Sequence, residues 1–164
     1  MRKIAFPPLI NTESKILLLG TMPGEESLRR QQYYGHRQNQ FWKIIYSLFG
    51  GDFTDDYEER KTFILNHRLA IWDVLHSCEG TGSLDSNIKN EIPNDFSSFF
   101  RQYPLISHVC FTSKKAAGFY KKYVGMDESK VYITLPSPSP ANAQMRFDQK
   151  VCKWKVLSDI LLGV

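Results

Sequence analysis

Four short apolar runs, each separated from the next by helix-patterned sequence, constrain this 164-residue chain more than any other feature. Lys15-Ile16-Leu17-Leu18-Leu19 ends in Gly20, and a run with no polar alternation reads as a strand buried on both faces. Leu69-Ala70-Ile71-Trp72, Ile106 to Thr112 and Val131 to Leu135 read the same way. Between them, Phe41, Ile45, Leu48 and Phe49 recur at helical spacing and stop at Gly50-Gly51. Asp55 to His67 predicts a charged helix with Tyr57, Phe63 and Ile64 turned inward, and Ser113 to Val124 predicts another. A last helix, expected from about Asn142, places Phe147, Val151, Trp154, Leu157 and Leu161 on one face. Strands alternating with helices imply an α/β fold: three α/β/α layers around a central, mostly parallel four-stranded sheet. With no repeat and no linker, residues 1–164 read as a single domain.

Composition narrows the function classes. Hydrophobic residues make up 42% and charged ones 23%, a globular balance, and no apolar run reaches the roughly 20 residues that span a bilayer. The opening Met1-Arg2-Lys3-Ile4-Ala5-Phe6 runs into Pro7-Pro8 before a signal-peptide core forms, so the protein is expected inside the cell, with no membrane partner. Cys78, Cys110 and Cys152 include no C-x-x-C pair, and the four His are scattered. Neither a disulfide framework nor a metal site is expected, and no histidine is assigned a role. The net charge is +4, yet Ser27–Gly51 and Ser113–Gly125 lack acidic residues altogether. Such stretches suit a polyanion, although from charge alone solvated helix faces are the more ordinary account of them.

Ligands of open parallel sheets bind at the carboxyl ends of the strands, so the four loops leaving those ends are where chemistry is sought. The first is Gly20-Thr21-Met22-Pro23-Gly24-Glu25-Glu26-Ser27, which is neither a dinucleotide fingerprint nor a P-loop. The fourth is Leu135-Pro136-Ser137-Pro138-Ser139-Pro140-Ala141-Asn142, stiffened by alternating prolines. Its serines, with the amides of the helix start expected after it, suit a phosphate.

Together, Gly-x-x-Pro-Gly after the first strand and x-Pro-Ser-Pro after the last resemble the signature motifs of the uracil-DNA glycosylase superfamily. Tyr34-Gly35-His36-Arg37-Gln38-Asn39-Gln40-Phe41-Trp42 is similar to the aromatic segment that lies between them there. Met22 stands where relatives carry an acid or amide that handles water, and Leu135 where the main uracil enzymes carry a His. Lacking both while keeping Asn39, the chain is most similar to the hypoxanthine-DNA glycosylase branch. Trp72-Asp73-Val74 and Gly82-Ser83-Leu84-Asp85-Ser86 also look like that branch.

The resemblance implies a monofunctional DNA glycosylase of base-excision repair that needs no cofactor. It would flip hypoxanthine out of double-stranded DNA and hydrolyse its glycosidic bond. Its expected setting is the cytoplasm, on the nucleoid, as a monomer. Asn39 would position the attacking water. Backbone amides near Thr21 and Met22 would stabilise the departing base, Tyr34 would stack on it, and Asp73 would read its ring N–H. Ser137, Pro138, Ser139 and Asn142 would contact DNA, with Lys114 and Lys115 as weaker candidates. Two structural alternatives stay open: Asn39 as a plain helix cap and Asp73 as a solvated or capping carboxylate. Three functional alternatives do too: uracil or a G·T/G·U mismatch as substrate, a non-catalytic damage-binding domain, and a hydrolase of free inosine.

Overall fold

The computed structural model describes residues 2–80 and 85–164. Its centre is the expected sheet. Strands β2 (Ile16–Gly20), β3 (Leu69–Asp73), β6 (His108–Phe111) and β7 (Val131–Thr134) pair in the order β3-β2-β6-β7, all parallel. Every residue of β2 and β3 is buried, which is why both read as unbroken apolar runs.

The order of pairing explains the layers. Leaving β2, the chain runs through α1 (Glu25–Arg30), α2 (Phe41–Phe49) and α3 (Tyr57–Asn66) and returns to β3 on one side. It then crosses to the other side of β2 through α4 (Phe96–Gln102) into β6, and through α5 (Lys114–Tyr123) into β7. Right-handed crossovers running in opposite directions along a sheet cover opposite faces. Two cores result. Ile16, Leu18 and Ile71 meet α2 and α3 together with the C-terminal helices, through Phe41, Ile45 and Trp154. Leu17, Leu19 and Ala70 meet α4 and α5 through Phe96, Phe99 and Phe119.

Several features differ from the sequence expectation: α1 and α4 lie where no helix was expected, and two further differences concern a sheet and a helix start. A second sheet, antiparallel, is built from β1 (Arg2–Ile4), β4 (Leu75–Glu79) and β5 (Lys89–Pro93) in the order β1-β4-β5. Its strands are short and partly exposed, so they carry no buried-strand signature. The last helix begins at Phe147, not near Asn142, as α6 (Phe147–Trp154) followed by α7 (Val156–Leu162). Gln149 caps its start by accepting the Arg146 N–H at 2.9 Å. The face expected from Phe147 to Leu161 does pack into the first core. The stretch Gly82-Ser83-Leu84 lies outside the described residues.

Cys110 is in the core, where burial pushes its thiol up to about 12 and keeps it protonated. Among the described residues, no helix is long and apolar enough to cross a membrane. None of them forms a group of three or more His, Cys, Asp or Glu fit to hold a metal ion.

Candidate active site

The carboxyl ends of β2, β3, β6 and β7 open into one pocket of about 700 Å³. At its floor, three polar side chains meet around Gly20. A methyl group on Gly20 would stand 2.7 Å from Asp73 Oδ1, 3.2 Å from Tyr34 Oη and 3.5 Å from Thr112 Oγ1. A glycine is what allows strand-end backbone to sit that close to all three.

Asp73 is 5% exposed and ends β3, so it is neither solvated nor a helix cap. Its backbone carbonyl accepts the Asn94 side-chain amide at 2.8 Å. Tyr34 has a left-handed backbone (φ 53°), uncommon for an aromatic residue. Two contacts hold it there: its ring stacks on Phe41 at 3.9 Å, and its hydroxyl shares a hydrogen bond with Thr112 Oγ1 at 3.1 Å. Burial, and secondarily the charge of Asp73, raises the Tyr34 pKa far above its ordinary value, so the hydroxyl keeps its proton.

Thr21 and Met22 form the neighbouring wall. The turn after β2 is tied down by Val74 N–H donating to the Gly20 carbonyl (2.8 Å) and Leu75 N–H to that of Thr21 (3.2 Å). Thr21 and Ser113 bring their hydroxyls to 3.4 Å, bridging the β2 and β6 loops. Met22 packs its side chain toward the second core and also lines the pocket.

Asn39 is half-buried and also lines the pocket. Its Oδ1 accepts the N–H of Phe41, the first residue of α2, at 2.9 Å. The formal cap residue, Gln40, makes no side-chain cap bond, so Asn39 does help to hold the helix start. One oxygen lone pair and both amide hydrogens remain for a ligand. Capping and pocket chemistry are compatible in this residue.

Ser137, Pro138, Ser139 and Asn142 form the rim. Ser137 Oγ accepts the Ser139 N–H (3.1 Å), Ser139 Oγ accepts the Ala141 N–H (3.2 Å), and the Asn142 side chain donates to the Ser137 carbonyl (3.1 Å). These amides are therefore committed, and the helix start expected beside them is five residues further on. What the rim offers an anion is the serine hydroxyl hydrogens. Lys114 and Lys115 are exposed in the first turn of α5, outside the pocket lining. Leu135, in the position of the missing His, is 3% exposed and belongs to the first core.

Sequence reasoning missed Thr112, Ser113, Gln40, His36 and Lys150. Thr112 and Ser113 sit at the end of an expected strand and were findable by position. His36 lines the pocket, with Nδ1 accepting the Gln38 N–H at 3.1 Å. Lys150, inside α6 and 2% exposed, donates to Gln40 Oε1 at 2.8 Å, and burial lowers its pKa. Nothing local in the sequence marks it.

Comparison with known proteins gives the family of the fold that frames this pocket. The family model of the uracil DNA glycosylase superfamily matches residues 7–161. A protein of Methanosarcina acetivorans named hypoxanthine DNA glycosylase is 39% identical over 159 residues, covering 96% of this chain and 98% of its own. One of the same name from Methanosarcina barkeri is 36% identical over 120 residues, covering 73% of this chain and 76% of its own. The solution NMR structure of a Methanosarcina acetivorans protein, solved under the provisional name uracil DNA glycosylase, superposes with a TM-score of 0.81. It is 32% identical and covers 96% of this chain and 99% of that one. With the family model matching residues 7–161 and similarity over nearly the full length, this chain belongs to the uracil DNA glycosylase superfamily.

Proposed function

We propose that residues 1–164 act as one monofunctional DNA glycosylase domain that removes hypoxanthine from double-stranded DNA, leaving an abasic site. The observation that carries this reading is the convergence of Asn39, Tyr34 and Asp73 on one pocket, in a chain 39% identical to a protein named hypoxanthine DNA glycosylase. It would work as a monomer inside the cell, on nucleoid DNA.

The reaction breaks the bond between the sugar and the purine. Positive charge grows on the sugar and negative charge on the leaving base; the water's oxygen bonds to the sugar carbon, and one of its protons is balanced by the proton the departed purine takes up. The target nucleotide first leaves the stack, which costs a few kcal/mol and less for a mispaired base. Tyr34, backed by Phe41, offers an aromatic surface for that base. Asp73 accepts from the N–H that hypoxanthine carries and adenine lacks, so normal DNA is disfavoured. Backbone amides of the turn at Thr21 and Met22 stabilise the departing purine. Asn39 does not titrate, so it acts by fixing the direction of the water through its remaining oxygen lone pair. Ser137 and Ser139 grip a phosphate through their hydroxyls, with Pro138 shaping the loop, Asn142 fastening it, and Lys114 and Lys115 adding longer-range attraction.

Uracil is the second reading, because it presents the same ring N–H beside a carbonyl to Asp73. A released-base assay decides among the substrates, using duplexes with deoxyinosine, deoxyuridine or a G·T mismatch alongside free deoxyinosine. Hypoxanthine released fastest from the duplex supports the proposal. Release of uracil alone would replace the substrate. Binding without an abasic product would remove the catalytic reading, and cleavage of the nucleoside alone would remove the DNA.

A further inference from the structure

Lys150 is a charged side chain at 2% exposure whose hydrogen bonds go to neutral oxygens: Gln40 Oε1 at 2.8 Å and the Ser139 carbonyl at 3.5 Å. Among the described residues it belongs to no ion pair. Stability alone does not explain it, since a well-packed apolar residue commonly does as well or better where a buried charge sits. Nor does Lys150 line the pocket, so it is neither a nucleophile toward the sugar nor a direct phosphate ligand.

Its partners give it a purpose. Gln40 directly follows Asn39 and is fastened to the rim twice. Its backbone N–H donates to the Pro138 carbonyl at 2.9 Å, and its side chain reaches Ser139 through the Lys150 ammonium. The backbone bond fixes one point. The lysine adds a second link from the same residue to the same loop, while the Gln40 carbonyl, accepting the Ile44 N–H at 2.9 Å, joins both links to the start of α2.

We propose that Lys150 is a positioning residue that clamps Gln40, and through it Asn39, to the Ser137–Asn142 loop, so that the water-directing amide and the phosphate-gripping rim hold one register. This rests on the reading of Asn39 given above. A rim seated on its phosphate then sets where Asn39 stands relative to the sugar.

The test compares Lys150→Met, Gln40→Met and the double variant in single-turnover release of hypoxanthine from a deoxyinosine duplex. Affinity is measured separately on a duplex carrying 2′-fluoro-deoxyinosine, which resists cleavage. Each single variant is expected to lose about tenfold in rate with nearly unchanged Kd. The double should be no slower than the slower single, as for two links of one chain. Gln40→Glu should restore most of what Gln40→Met loses, because a carboxylate accepts from the ammonium as the amide oxygen does. A folded Lys150→Met protein at the wild-type rate overturns the proposal. So do losses that multiply in the double, or rate, Kd and melting temperature falling together. Should Lys150→Met fail to fold, equal rates for Gln40→Met and Gln40→Glu overturn it. A wild-type protein that releases no base sinks the glycosylase reading itself and takes the clamp with it, whereas an active wild type matched by Lys150→Met sinks the clamp alone.

Discussion

The floor and the rim of the pocket are built in opposite ways. At the floor, Asp73 and Thr112 are buried at strand ends, and Tyr34 is wedged against Phe41, so each group has a single position. The rim is an extended loop whose own serines satisfy its amides and whose prolines have none to offer. A floor fixed by core packing suits discrimination, because a wrong base meets groups that cannot move aside. A rim offering rotatable hydroxyls suits contact with a phosphate, which is the same in every sequence. Asn39 joins the two: it caps the helix packed against the floor, and its neighbour Gln40 is bonded to the rim.

The largest expected effect tests that junction. Asn39→Ala should lower single-turnover release of hypoxanthine by roughly 10²–10³-fold, the scale of losing one well-placed hydrogen-bonding group. Because Oδ1 also holds the start of α2, stability should fall by about 1 kcal/mol, read as a lower melting temperature. Asn39→Asp keeps the capping oxygen and should recover the stability without the rate. If Asn39→Ala loses stability but not rate, the residue is a cap and nothing more.

Next comes the floor. Gly20→Ala puts a methyl 2.7 Å from Asp73 Oδ1, so Asp73 must move. Overpacking of this kind costs about 1–3 kcal/mol of stability. Displacing the floor should also slow release roughly 10–100-fold. Full activity would show that the floor yields as readily as a loop, and the contrast with the rim would collapse.

Asp73→Asn is milder, since the shape stays and only charge and donor pattern change. The preference for hypoxanthine over adenine should drop about tenfold, the worth of one hydrogen bond to a charged group. Unchanged selectivity in a folded variant would take base reading away from Asp73.

The smallest effect belongs outside the rim. Log affinity against log salt should fall with a slope of about −0.9 for each phosphate neutralised. Lys114→Ala/Lys115→Ala should flatten that slope by about 0.9, one contact between them, while leaving the rate on bound DNA alone. An unaltered slope removes both lysines from the footprint.

How far the sequence carries depends on where each residue's constraint comes from. The parallel sheet was legible because β2 and β3 are buried along their whole length, and an uninterrupted apolar run records that directly. The antiparallel sheet was not, because Arg2–Ile4 and Lys89–Pro93 mix charged and exposed positions in runs too short to show a period. The site followed the same division. Asn39, Tyr34 and Asp73 were marked by the resemblance of their segments to the superfamily's motifs, and all three line the pocket. Lys150 sits in an amphipathic helix where a lysine looks like one more solvated charge. Only packing against Gln40 and Ser139, 110 and 11 residues away, reverses that reading. The expected helix start at Asn142 failed for a local reason, since Ser137, Ser139 and Asn142 bond back onto their own loop instead of opening a helix.

The place of β2 in the sheet has a consequence for how the chain is made. Ile16 pairs with Leu69 on one side and with His108 on the other, so both neighbours of this strand are synthesised long after it. At the usual 5–20 residues per second, the gap to β6 lasts roughly 5–18 s. Until β3 is made, Ile-Leu-Leu-Leu-Gly has two open edges and no charge, and the edge that β6 covers stays open through the whole interval, the kind of segment that pairs with other chains. The strand that anchors the finished sheet is thus an aggregation hazard in the nascent chain, and yield in a host should depend on chaperone capacity and growth temperature as well as on the stability of the folded product.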